Sequence, residues 1–330
     1  MEWMDIFSFT FVSKKCTSLA KSAHCVVDEF RIEMRSAHVI EISIGTESAS
    51  LEMTIQIPDE PTEIPPVSSL RITSSSGDRN FDLKLENTSV RAYLDYTQNV
   101  FRCQKLGVIM NQWIPFPMVQ KILEGMNIDK FMVFDCDAQR HREIINGFPM
   151  VKELELRSCF RAAEDVVREL VFPKKMLRLS ISFNNEMTLE DLLRCKALNL
   201  EIVSPGLSGA DLNKFLKSWV ESETNQDMES LIVMIRKTNL DANPISQVLD
   251  GIKYTEAPAD LERKFYRNFG ENHRFCIDKV DPRFKGGYDF ERKDRKKATL
   301  ISYESIGGLA VFKFMNPNKL SIISTFTRSV

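Results

Sequence analysis

Glycine is scarce in this chain, 13 among 330 residues, so the backbone has little material for anion-cradling nests. No G-x-x-x-x-G-K-S/T, no G-x-G-x-x-G and no G-x-S-x-G elbow occurs, which excludes nucleotide binding and hydrolase chemistry of those designs. Long apolar runs are missing too. The densest, Leu231 to Ile235, is strand-sized and far short of the roughly 20 residues that cross a bilayer. The opening MEWMDIFSFTFVSKKC lacks the basic, apolar and small-residue segments of a secretory signal, so the expected location is cytoplasmic, nuclear or both. Charge of one sign is absent in bulk: 44 Lys plus Arg against 46 Asp plus Glu give a net charge of -2. No global field exists to hold a nucleic acid or an anionic membrane.

Cysteine pairs are lacking as well. The seven cysteines are odd in number, scattered and never spaced C-x-x-C, which predicts reduced thiols rather than a disulfide framework. None has the setting of a catalytic thiol. The four histidines are isolated from one another, and no ligand set with zinc spacing is found; Cys136 to His141 is read as structural. The acidic pairs Asp135 with Asp137 and Glu190 with Asp191 suit turns and helix starts. Catalytic residues, metal ligands and cofactors are therefore expected to be none, and the chain is expected not to be an enzyme.

What is present is repetition. Ile128-x-x-Phe131-x-Val133-x-x-Cys136 recurs as Val151-x-x-Leu154-x-Leu156-x-x-Cys159, then as Met176-x-x-Leu179-x-Ile181-x-x-Asn184. Weaker copies are Cys195-x-x-Leu198-x-Leu200-x-x-Val203 and Met228-x-x-Leu231-x-Val233-x-x-Arg236. This is the leucine-rich-repeat template, in which alternating apolar residues point inward and the interposed ones face solvent. Between copies, Ala162–Leu170, Leu189–Cys195, Leu212–Val220 and Pro244–Ile252 carry helical spacing. Thr188 and Ser208 are suited to cap two of these helices. Each copy taken singly also fits an ordinary α/β core; the shared registration favours a short, irregular solenoid.

Upstream, Phe30–Met34, Val39–Ile44, Leu51–Ile57, Leu70–Ile72 and Phe81–Leu85 alternate as half-buried strands, with Pro58, Pro61, Pro65 and Pro66 marking a loop or linker. Ile6 to Ala20 reads as helix. Near the other end, the basic run Arg292-Lys293-Asp294-Arg295-Lys296-Lys297 lies between strand-like segments. It is read as a charged hairpin tip with Asp294 in the turn, ahead of an import signal or a phosphate site.

Three stretches then carry a family resemblance. Met4–His24 (MDIFSFTFVSKKCTSLAKSAH) resembles the second half of an F-box. Met187–Tyr254, which includes MTLEDLLRCKALNLEIVSPGLSGADLNKFLKSWVES, is similar to the F-box-associated domain of the nematode-expanded intracellular F-box family. Gly286–Thr299 (GGYDFERKDRKKAT) looks like the basic hairpin with which such chains often finish. Against that pattern, the Leu-Pro turn and first F-box helix are missing. The resemblance implies a substrate-recognition subunit of an SCF-type cullin-RING ubiquitin ligase. Its expected parts are a partial F-box-like helical segment over 1–25, a strand-rich, leucine-rich-repeat-like associated domain over 26–255, and a C-terminal β hairpin or small sheet over 256–330, in an α/β fold.

Under that resemblance, a Skp-type adaptor and cullin complex would be met through Asp5, Ile6, Phe7, Phe9, Phe11, Val12, Ser13, Lys14 and Leu19. The same phenylalanines could equally pack locally, since Phe7 and Phe11 share one helix face. A protein target would be held by outward residues of the repeat strands, Glu155, Arg157, Ser180 and Ser182. The alternative reading is a non-catalytic repeat scaffold or decoy without adaptor binding. Membrane binding is not expected, and nucleic-acid binding ranks last.

Overall fold

Alternation builds the first part of the chain. Phe30, Ile32 and Met34 are buried while Arg31 and Glu33 between them are half-buried, the period-two signature of a strand with one face in the core. They lie in β1 (Val26–Ser36). The computed structural model describes residues 15, 18, 19, 22, 26–36, 39–44, 49–55, 63–74, 80–111, 113–158, 163–183, 187–204, 206–265, 283–304, 309–315 and 320–322. Two units divide the α/β chain, 1–155 and 156–330.

In the first unit, β1 is followed by β2 (Val39–Ile44), β3 (Ala49–Ile55), β4 (Pro66–Ser74) and β5 (Asn80–Ser89), each antiparallel to the one before. Pro66, expected in a loop, opens β4 instead; the first residue of a strand is a place where a missing N–H is tolerated. Ser89 caps α1 (Val90–Val100), its hydroxyl accepting from Ala92 N at 3.3 Å. Next, β6 (Arg102–Asn111) returns parallel to β1. After α2 (Phe116–Leu123), β7 (Lys130–Phe134) lies parallel to β6. The sheet order is β5-β4-β3-β2-β1-β6-β7. Asp137 caps α3 (Ala138–Gly147), accepting from Arg140 N at 2.8 Å. Phe148 closes the core beneath, 5.1 Å from the Phe131 ring and 6.0 Å from Phe116.

The division of the chain falls within β8 (Glu153–Ser158). The second unit continues with α4 (Ala163–Leu170), β9 (Arg178–Phe183), α5 (Leu189–Arg194), β10 (Asn199–Val203), α6 (Gly209–Val220) and β11 (Ser230–Arg236). Strands β9, β10 and β11 are parallel neighbours in chain order, as a strand–helix repeat requires. Short α7 (Pro244–Val248) and β12 (Tyr254–Glu256) follow. β15 (Tyr288–Glu291), β16 (Lys297–Glu304) and β17 (Leu309–Met315) then return as an antiparallel meander whose last strand pairs with β11. The order is β8-β9-β10-β11-β17-β16-β15-β12, and β14 (Arg283–Lys285), β13 (Glu262–Phe265) and β18 (Leu320–Ile322) form a separate small sheet. The architecture is thus α/β with mixed sheet pairing and several helices.

One repeat copy needs correction. Leu200 registers with Leu179 and with Leu231, and Ile202 with Ile181 and Val233. The fourth copy is therefore Ala197-x-x-Leu200-x-Ile202, two residues later than the expected Cys195-x-x-Leu198-x-Leu200. A shift of two leaves every side chain on its own face, so alternation alone cannot detect it. Thr188 and Ser208 do cap α5 and α6, each in a reciprocal box closed by Asp191 and Asp211.

Candidate recognition surface

Trp219 of α6 fixes which face of the second unit's sheet carries helices. Its ring meets Phe314 at 4.6 Å and Phe290 at 5.9 Å, both edge-on. Phe314 is registered with Leu231, and so with Leu200 and Leu179. The repeat leucines accordingly face the helices. On the opposite face, registered rows run Arg178, Asn199, Ser230, Met315, then Ser180, Glu201, Ile232, Lys313, then Ser182, Val203, Met234, Val311. Polar groups hold β9 throughout and β10 except at Val203, and apolar ones hold β11 and β17 except at Ser230 and Lys313. Ile232, Met234 and Val311 form a buried cluster with Val203 against it, and Phe284 of β14 packs on Ile301 and Met315. The small sheet is pinned there by Arg263, whose guanidinium forks onto Asp289 at 2.7 Å twice and donates to Thr299 Oγ1 at 2.9 Å. That hydrogen-bonded fork holds the Asp289 carboxyl below the usual range, and Thr299 adds to it.

Two of the sequence-predicted target residues, Ser180 and Ser182, lie in these rows. Ser180 and Ser182 are on β9, with Ser182 half-buried; Glu155 and Arg157 are on β8, with Arg157 half-buried. Burial corrects the expectation that all four face open solvent: Glu155 is only 3% exposed and Ser180 8%. Within the first unit, Glu155 lies 4.0 Å from Lys130. In the second, Arg178 donates to Glu201 at 3.1 Å. Neighbouring strands thus spend their charges on one another, which a single-strand pattern does not reveal. Glu201 and Arg178, which sequence reasoning passed over, belong to the same rows; their signal was the interposed position each occupies beside a repeat leucine.

Leu19 is the described member of the expected adaptor set, and it is 52% exposed. Ser22 Oγ donates to its carbonyl at 2.7 Å. Asp5, Ile6, Phe7, Phe9, Phe11, Val12, Ser13 and Lys14 lie outside the described residues.

The basic hairpin takes a form that composition hid. Glu291 registers with Lys297, and Asp294 sits in the turn as expected. Arg292, however, is buried. Its guanidinium lies over the Trp219 ring at 5.0 Å, donates to the Gln226 carbonyl at 3.0 Å and forks onto Asp294 through Nε at 2.8 Å. Asp294 is consequently held well below the usual carboxylate range, first by that hydrogen bond. Lys293 N donates to Val220 O at 2.9 Å, Lys293 Nζ pairs with Glu221, and Lys296 Nζ reaches Gln226 O at 3.0 Å. The Lys293 backbone N–H thus satisfies the last carbonyl of α6, and Arg292 and Lys296 converge on the Gln226 carbonyl in the turn beyond it. Much of the basic run is engaged internally rather than displayed for phosphate.

Cys136 and Cys195 are buried. Burial pushes their thiols up to about 12 and about 11 respectively, so both are protonated at neutral pH and poor nucleophiles. His141 is fully buried, Nδ1 lying 2.7 Å from Asp137 O, and desolvation lowers its pKa. Among the described residues, no three His, Cys, Asp or Glu side chains gather as a metal site, and no helix is long and apolar enough to cross a membrane.

Comparison with known families adds one finding at this point. Residues 169–233 match the model of a family described as F-box associated. That stretch runs from the end of α4 through β9, α5, β10 and α6 into β11. It overlaps the resemblance read over Met187–Tyr254 and begins and ends earlier. Comparison with curated proteins and with solved structures finds no match.

Proposed function

We propose that this chain is a non-catalytic substrate-recognition subunit of an SCF-type cullin-RING ubiquitin ligase, working in the cytoplasm, the nucleus or both. The observation that carries the reading is the F-box-associated match over residues 169–233, set on the β9-α5-β10-α6-β11 run. A Skp-type adaptor would engage the segment containing Ile6, Phe7, Phe9, Phe11 and Leu19, in the manner of an amphipathic helix in a groove. A protein target would be held by the repeat strands. Support for a leucine-rich-repeat-like reading of those strands comes from parallel neighbours in chain order, returning helices and buried leucines in shared register.

Such a subunit needs shape and positioned polar groups rather than reactive ones, and the protonated buried thiols of Cys136 and Cys195 fit that role. Co-purification of the 330-residue chain with a Skp-type adaptor tests the proposal, alongside Phe7→Ala and Phe11→Ala variants and a version extended with an F-box first helix. Stable binding that the two substitutions abolish is the expected result. Binding by the extended version alone points instead to a scaffold or decoy, and binding by neither overturns the ligase reading.

A further inference from the structure

Tyr254, Thr255 and Glu256, the residues of β12, are all exposed, Tyr254 by 44%. Among the described residues β15 is the one strand that pairs with β12, so β12 forms an edge of its sheet. Register decides which of its backbone groups are used. Tyr254 sits opposite Phe290, Thr255 opposite Asp289 and Glu256 opposite Tyr288, and Ala257 N continues that register by donating to Gly287 O at 2.8 Å. In an antiparallel ladder the residues that exchange hydrogen bonds alternate along the strand. Thr255 and Ala257 therefore turn their N–H and C=O toward β15, and Tyr254 and Glu256 turn theirs outward.

The same two residues share a side-chain face. Phe290 meets Trp219 of α6, so Tyr254 and Glu256, registered with Phe290 and Tyr288, stand on the helix-bearing face of the sheet. The Tyr254 and Tyr288 rings meet edge-on at 5.5 Å, 84° apart, and make an aromatic corner open to solvent on the Tyr254 side. Glu256 borders that corner: after burial, its carboxylate is the next cause that raises the Tyr288 phenol. Among the described residues no cation is paired with Glu256. An open phenol ring beside such a carboxylate is complementary to a side chain with an apolar stem and a cationic head. A second copy of the chain cannot supply it. In any antiparallel register that satisfies the outward groups, Tyr254 and Glu256 would meet Ile252, Tyr254, Glu256 or Pro258 of the copy, none of them cationic.

We propose that β12 is a docking edge for an extended segment of a partner protein that carries Lys or Arg at alternate positions. The segment adds as a strand, its main chain bonding the outward groups of Tyr254 and Glu256. Its cations, directly opposite those residues, lie over the Tyr254 ring and beside the Glu256 carboxylate. A short edge discourages adventitious pairing, so the aromatic corner and the acid supply the selectivity. This edge deepens the recognition reading by naming the partner's chemistry and rests on it for the partner's being a target. Its test involves no adaptor, so the two readings fail separately.

The test titrates the full chain into a dye-labelled, end-capped peptide of alternating Arg and Thr, with a Glu/Thr peptide as the opposite charge, followed by fluorescence anisotropy. Two N-methylated Arg/Thr peptides separate strand addition from charge alone. Methyl groups on the Arg backbone nitrogens block the groups that face β12, whereas those on the Thr nitrogens fall on the far side. Saturable binding of the Arg/Thr peptide is expected, weakened about fivefold or more by Tyr254→Ala and by Glu256→Gln. Arg N-methylation should weaken it about tenfold or more, and Thr N-methylation should be tolerated. Both substitutions are at exposed positions, so the melting temperature should stay unchanged. Asp241→Asn, at another exposed acid of the second unit, should leave binding as it is. Preference for the Glu/Thr peptide, undiminished affinity in either variant, equal loss on Arg and Thr N-methylation, a dimer of the free chain that Glu256→Pro abolishes, or no binding at all would each overturn the proposal.

Discussion

Arg168 and Asp191 join two successive helices of the second unit: Arg168 Nε of α4 donates to both Asp191 carboxylate oxygens at 3.0 and 3.1 Å. The same carboxylate accepts from Thr188 N at 2.9 Å and so closes the capping box of α5. One buried acid thus caps its own helix and ties down the preceding one. Asp191→Ala removes both functions and leaves a guanidinium with less compensation, at a cost of about 2–4 kcal/mol. Arg168→Ala should cost less, about 1–2 kcal/mol, because the buried Asp191 carboxylate keeps the hydrogen bond from Thr188 N when its cation is lost. Urea unfolding of the two variants checks the ranking; equal costs would contradict it.

Arg292 should be the one member of the basic run whose loss is felt strongly. Arg292→Ala empties a buried stacked position over Trp219 and is expected to destabilise by about 2–4 kcal/mol. Arg295→Ala, at an exposed turn position, should fall within about 0.5 kcal/mol of the parent. Arg292→Lys should not rescue, since an ammonium cannot stack and fork at once. Thermal unfolding monitored through tryptophan fluorescence separates these outcomes.

Much of this was readable in the residues. Phe30-Arg-Ile-Glu-Met34 declared a strand, Thr188 and Ser208 declared helix starts, and Asp294 declared the turn of the hairpin. The two-residue slip at Leu198 and Leu200 was not readable, because both are apolar and both registers bury the same face. Strand order was equally hidden: nothing local in Leu309–Met315 says that it pairs with Ser230–Arg236. Arg292 was masked by its neighbours, since a charge run looks alike whether its members stack on an indole or stand in water. Of the expected target residues, Ser182 and Arg157 keep partial exposure, while Glu155 and Ser180 are buried, because burial depends on neighbouring strands as well as on alternation.

Gly287 has a φ of 111°, and a Cβ there would stand 3.0 Å from Thr299 Cγ2 and 3.1 Å from Ile301 Cγ2. Gly287→Ala combines backbone strain with crowding against a strand. A loss of about 2 kcal/mol or more is expected, read as a lower urea midpoint at constant slope. A neutral substitution would show that the turn can relax.

His141 gives stability a dependence on mild acid. Its folded pKa is lowered from 6.5 by burial, so the folded state binds fewer protons than the unfolded one. Its contribution is therefore present above about pH 6.5 and lost as pH falls below that value. Unfolding midpoints from pH 8 to pH 5 should decline, and His141→Gln should flatten the decline. A slope unchanged in that variant would assign the effect to other groups.

Cys136 and Cys195 should resist alkylation in the native protein and react on unfolding, since their thiols are raised to about 12 and about 11. Peptide mapping after timed labelling, with and without urea, distinguishes the two states. Rapid native labelling of either would contradict their burial.

The pairing of β11 with β17 has a bearing on how the second unit is made. The parallel strands β9, β10 and β11 join partners close in sequence, so their contacts close small loops and can form early. The meander that completes the sheet must wait for residues synthesised much later. Until Leu309–Met315 arrives, the apolar β11 edge at Leu231–Ile235 lacks its second neighbour and is open to strand addition by other chains. During translation, the interval between those two segments is therefore when this edge has the least protection.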